Sequence, residues 1–206
     1  LVAIFLGTGF LADAYFVAFR IPNTFRRLFS EGTFNAAFVP SYSSELTKGK
    51  VKSNRFAGEI FNLLFLILFI LVLLVQLFMP VFVSLIAPGF TEDFEKMNLA
   101  VELTRITFPF LLLISLASFF SAILNSHNKV AEAAAAPIIL NIVLIVVLLF
   151  SKLLNDDLVY YLSFAVTFSG LLQLIFLYFF VKKFFVLSFN LKLKITKNAK
   201  IFFNKL

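Results

Sequence analysis

Long apolar runs govern what this chain can fold into. One of them, NLLFLILFILVLLVQLFMPVFVSLIAPG from Asn62 to Gly89, holds no charged residue. About 20 mostly apolar residues in a helix cross a hydrocarbon core about 30 Å thick. In lipid the backbone must satisfy its own hydrogen bonds, which leaves helices or closed barrels. Five full spans are expected, over about residues 11–42, 57–87, 99–124, 133–154 and 158–181, with Leu1–Leu6 as the end of a preceding helix. The predicted fold class is all-α, a polytopic membrane helix bundle.

Charge agrees with this reading. The chain is 61% hydrophobic and 14% charged, against about 25% charged in soluble domains. Lys48, Lys50, Lys52 and Arg55 follow the first run, and Glu92, Asp93 and Glu95 outnumber Lys96 after the second. His127 and Lys129 face Glu132 after the third, and Asp156 and Asp157 outweigh Lys152 after the fourth. Residues 182–206 carry seven lysines and no acid. Lys and Arg favour the cytoplasmic side, so the first, third and last of these segments are expected inside. The net charge of +7 thus reads as topology signal, and no nucleic-acid partner is expected. With no cysteine and one histidine, disulfides and multi-His metal sites are excluded, and no cofactor is expected. Asn62, Gln76, Asn141 and Gln173 are expected to bond between helices. Pro80, Pro109 and Pro137 are expected to mark kinks, and Arg105 to pair with Glu102 or reach the outer surface.

The first span departs from this economy. ADAYFVAFRIPNTFRRLFSEGTFNAAFVP, Ala12–Pro40, carries Asp13, Arg20, Arg26, Arg27 and Glu31, with Asn23 among them. At 1.5 Å per residue Arg26 lies roughly 20 Å below Asp13, deep in the core. An arginine there costs at least ~2.5–3.5 kcal/mol, so the cluster needs compensation. Asp13, Arg20 and Arg27 repeat by sevens and share one stripe, and Glu31 can pair with Arg27 at i+4. A structural Arg27–Glu31 pair and a snorkelling Arg20 are the plain alternative. A water-filled cavity accommodates the whole cluster. Guanidinium groups grip phosphate through a planar fork of donors, so the cavity suits a pyrophosphate head group and repels a cationic drug. A membrane enzyme acting on polyprenyl phosphates would need a carboxylate cluster, for which Glu92, Asp93 and Glu95 are the candidates. A purely structural scaffold would tolerate leucine at the deep arginines.

GTGFLADAYFVAFRIPNTFRRLFSEGTFNAAFVPSY (Gly7–Tyr42) resembles the signature of the MurJ (MviN) family, the lipid II flippases of bacterial peptidoglycan synthesis. The likeness continues through APGF (Ala87–Phe90), ITFPFLLLISLASFFSAILNSHNK (Ile106–Lys129) and APIILNI (Ala136–Ile142). It implies fourteen transmembrane helices in two lobes around a central cavity. Residues 1–187 would be the N-terminal lobe from the end of helix one through helix six. Residues 188–206 would be a basic cytoplasmic linker toward a C-terminal lobe that is missing here. By the same resemblance Arg26 would hold the pyrophosphate, with Arg27 and Arg20 as further substrate-binding candidates. Asp13, Glu31 and Asn23 would shape or gate the cavity. The implied partners are lipid II and membrane lipids, the implied location is the bacterial inner membrane, and alternating access requires no enzyme chemistry. A relative exporting another polyprenyl-pyrophosphate-linked glycan, or a drug/cation antiporter of the same superfamily, is the alternative.

Overall fold

The computed structural model describes residues 2–7, 9–31, 33–151 and 158–187, and the side chains of 3, 4, 21 and 25–33 are left out of the description. The acidic fourth connection and the basic tail therefore lie outside the described residues. Among the described residues there are nine α-helices and a short 3-10 turn. They are α1 (Val2–Leu6), α2 (Phe10–Glu31), α3 (Thr33–Thr47), α4 (Lys50–Leu77), α5 (Met79–Ile86), the 3-10 turn Pro88–Phe90, α6 (Phe94–Thr107), α7 (Phe110–Ser126), α8 (Val130–Leu149) and α9 (Leu158–Val181).

Four helical segments among the described residues are long and apolar enough to cross a membrane: Lys50–Leu77, Phe94–Ser126, Val130–Leu149 and Leu158–Val181. The expected first span is not one of them, because the charges of α2 dilute its apolar content. Within the most apolar windows 72% of Phe94–Ser126 is buried, against 22% of Lys50–Leu77 and 28% of Val130–Leu149. The α6–α7 segment is thus the centre of the bundle. It touches α2, α3, α4, α5, α8 and α9. The outer helices turn large side chains outward, among them Ile67, Leu74, Ile138, Ile142, Phe164 and Phe168. Continuous exposed apolar faces of this kind fit lipid.

Two cores fill the bundle. One is aromatic: Phe34, Phe38 and Tyr42 stand at i+4 spacing on α3 and stack at 5.5 and 5.6 Å. Phe119 of α7 meets Phe38 at 5.0 Å, Phe61 at 5.5 Å and Phe185 at 5.8 Å. Each such pair adds about 0.5–1.5 kcal/mol beyond area burial. The other core packs Ala14, Tyr15 and Ala18 of α2 against Leu103, Phe108 and Leu111, with Met79 and Val83 of α5 behind them.

The prolines divide by position. Pro80 sits in the first turn of α5 after a break at Phe78, so the expected 57–87 span is two helices. Pro109 separates α6 from α7. Pro22, Pro40 and Pro137 lie inside continuous helices, so Pro137 does not interrupt its span. Proline lacks an N–H and clashes with the carbonyl four residues before it. The carbonyls left by the Pro109 break are taken by side chains. Gln76 Nε2 donates to the Arg105 oxygen at 2.8 Å, and Thr167 Oγ1 to the Ile106 oxygen at 2.5 Å. Gln76 therefore bridges helices as expected. Asn141 instead lies exposed on α8, and Gln173 donates to Ser169 O of its own helix at 3.3 Å.

Candidate functional site

The charged helix is continuous from Phe10 to Glu31. Ala14, Ala18 and Pro22 are buried, while Asp13 and Arg20 are exposed. Residues 14, 18 and 22 share one face by i+4 spacing and residues 13 and 20 the opposite one, so the upper part of the predicted stripe is present. Thr107 Oγ1 fixes the buried face by donating to Ala18 O at 2.8 Å. Thr24 Oγ1 returns a bond to Arg20 O at 2.8 Å, a local bond that favours bending at this turn. Asn23 is half-buried and is not without a partner. The side chains of Arg26, Arg27 and Glu31 lie outside the described residues. The backbone that carries them is helical, and by spacing Arg27 continues the line of Asp13 and Arg20.

At the head of the stripe is an ion pair that the spacing of the motif did not reveal. Lys96 Nζ lies 2.6 Å from Asp13 Oδ2. The ammonium also sits 4.5 Å from the centre of the Phe90 ring, within cation–π reach. Lys96 N in turn donates to Asp93 Oδ1 at 3.0 Å, which caps α6. One lysine thus ties α2 to the APGF turn and to the start of α6. The side chain of Lys96 is 20% exposed and that of Asp13 56%, so solvent screens only one end of the pair. The sequence did hold a signal. Lys96 is the one base of an acidic segment placed on the same side as Asp13 by charge alternation. Asp93 is accounted for as a helix cap, which removes one ligand from the supposed carboxylate cluster.

Removing this pair has a defined expectation. Exposed ion pairs contribute about 0.2–1 kcal/mol, so the coupling should lie at the upper end of that range. A double-mutant cycle of Asp13→Asn and Lys96→Met, read by thermal stability in detergent, should return roughly 1 kcal/mol of coupling. Coupling within error of zero would leave Asp13 without this anchor. Of the two expectations for Arg105, a pair with Glu102 is not seen among the described residues, where Glu102 accepts from Tyr160 Oη at 2.6 Å; Arg105 is exposed, in keeping with the other.

At the other end of the bundle His127 stacks on Phe184 at 4.2 Å, with Tyr42 Oη 3.2 Å from its Nε2. Burial, and then the charge of Lys50, hold its pKa below the ordinary value. A lowered histidine pKa favours the neutral ring in the fold, so the stability it contributes is fully present above the unfolded value of about 6.5 and is lost as pH falls from there through the lower folded value.

The sequence and the fold both resemble known proteins. The family described as "Lipid II flippase MurJ" matches residues 2–206. The "Probable lipid II flippase MurJ" of Rhizobium tropici is 43% identical over 183 residues, 86% of this chain and 34% of that protein. "Lipid II flippase MurJ" of Burkholderia cenocepacia is 34% identical over 174 residues, 84% of this chain and 34% of its own length. A solved structure titled "Lipid II flippase MurJ, inward closed conformation" superposes with a TM-score of 0.81 at 27% identity, over 98% of this chain and 41% of that one. The chain spans about a third of the length of these curated relatives.

Proposed function

Because the chain belongs to the MurJ lipid II flippase family, we propose that it forms part of a transporter that moves lipid II from the cytoplasmic to the outer leaflet of the bacterial inner membrane. In this reading residues 1–187 are the N-terminal lobe and 188–206 a cytoplasmic linker to a second lobe. The α2–α3 segment is the first of five full spans, and α1 is the end of the helix before it. The complete transporter has fourteen helices in two lobes.

The observation that carries the reading is the family match across residues 2–206. The geometry of α2 supports it, with one face packed and the other presenting Asp13 and Arg20. Arg26, assisted by Arg27 and Arg20, grips the pyrophosphate as a forked donor. Asp13, held by Lys96, and Glu31 and Asn23 shape the cavity around it. The two lobes rock so that the cavity opens to one side and then the other, while the polyprenyl chain stays in lipid. No bond is made or broken.

The test is rescue of growth. The complete gene, expressed in cells depleted of their own lipid II flippase, should restore growth and cell shape. Failure of well-inserted protein to do so would point to a relative carrying another polyprenyl-pyrophosphate-linked glycan.

A further inference from the structure

We propose that an uncharged cleft between α3, α7, α8 and α9, with five polar side chains in an otherwise apolar lining, is a subsite for the uncharged sugar rings of the lipid-linked substrate, a proposal that rests on the functional reading above. The cleft encloses about 400 Å³, the share of roughly a dozen waters at about 30 Å³ each. Its origin lies in the sequence. On one side α8 offers Ala133, Ala134, Ala136 and Pro137, whose short side chains leave the space unfilled. On the other, Ser118, Ser121 and Asn125 occupy positions i, i+3 and i+7 of α7 and share a stripe. Asn35 of α3 and Gln173 of α9 complete the polar wall.

Polar atoms at this depth require partners. Asn125 Oδ1 is buried and receives no hydrogen bond, a state that costs about 1–3 kcal/mol when left unmet. Gln173 is 1% exposed, Ser118 is 5% exposed, and the one bond from Gln173 Nε2 is long at 3.3 Å. Among the described lining residues none is charged. The cleft therefore offers no counter-charge to a phosphate and no carboxylate to a metal ion. Ile114, Ala117, Val130 and Leu177 complete a mainly apolar wall around these amides and hydroxyls. Uncharged polar groups set in apolar walls complement a neutral ring that carries hydroxyl and N-acetyl groups at its rim and C–H groups on its faces, as an amino sugar does.

The experiment compares two probes on the purified protein in detergent: undecaprenyl pyrophosphate, and lipid II with the same tail and pyrophosphate plus the disaccharide-peptide. The wild type should bind lipid II at least tenfold more tightly. Asn125→Leu and Gln173→Leu should each cut that preference at least fivefold and leave affinity for undecaprenyl pyrophosphate unchanged. The ratio of affinities is independent of the folded fraction, and Ser121→Ala, the mildest change, should lower it in the same direction. Equal affinity of the wild type for both probes, an unchanged ratio in the variants, or equal loss for both probes would overturn the subsite. Binding of neither probe by the wild type would instead sink the functional reading itself.

Discussion

Arg26→Ala should abolish rescue of flippase-depleted cells at membrane levels equal to wild type. Hydrogen bonds to charged groups contribute about 1.5–3 kcal/mol, so loss of one forked contact should weaken substrate binding about 10- to 150-fold. Arg26→Lys keeps the charge and loses the planar fork, and should rescue only in part. Arg27→Ala is the comparison that decides geometry. Pro22 lies inside an unbroken helix, so the seven-residue line Asp13–Arg20–Arg27 retains its force, whereas family resemblance selects Arg26. Full rescue by Arg26→Ala with failure of Arg27→Ala would move the clamp onto that line. Growth under depletion, with immunoblots of membranes, reads the ranking directly.

The second large effect is expected at Gly170, where α9 crosses α7. A β-carbon there would stand 2.6 Å from Phe110 Cδ2 and 3.2 Å from Leu113 Cβ. Phe110 is fully buried, so its ring has little room to retreat. In a helix interior alanine is favoured over glycine by about 0.8–1.0 kcal/mol. Overpacking costs about 1–3 kcal/mol, so the clash wins and Gly170→Ala should be destabilising. Gly170→Leu should prevent assembly, seen as loss of monodisperse protein after extraction. Pairing Gly170→Ala with Phe110→Leu should recover stability. Wild-type stability of Gly170→Ala alone would show that the two helices do not need this close approach.

The sequence revealed the features that depend on residues near one another in the chain. Uninterrupted apolar runs set the four long hydrophobic segments, and the seven-residue repeat set the exposure of Asp13 and Arg20. Features created by distant encounters stayed hidden. Lys96 reaches Asp13 across 83 residues; charge alternation puts both on one side of the membrane, but no local spacing joins them. The break at Phe78 separates α4 from α5 inside a run whose hydropathy never falters, and Pro80 two residues on was its one sequence mark. The uncharged cleft depends on small residues of α8 lying opposite amides on three other helices. Gln173 read as a bridge between helices because its place on the cleft wall is a tertiary fact, whereas its bond to Ser169 O stays within its own helix.

The break at Pro109 also bears on biogenesis. The Arg105 carbonyl is met by Gln76, which precedes it in the chain, but the Ile106 carbonyl is met by Thr167, which is made 61 residues later. An unmet backbone carbonyl in hydrocarbon costs several kcal/mol. The Ile106 bond can form only once α9 has been made, so α9 completes the hydrogen bonding at the break in the helix at the heart of the bundle.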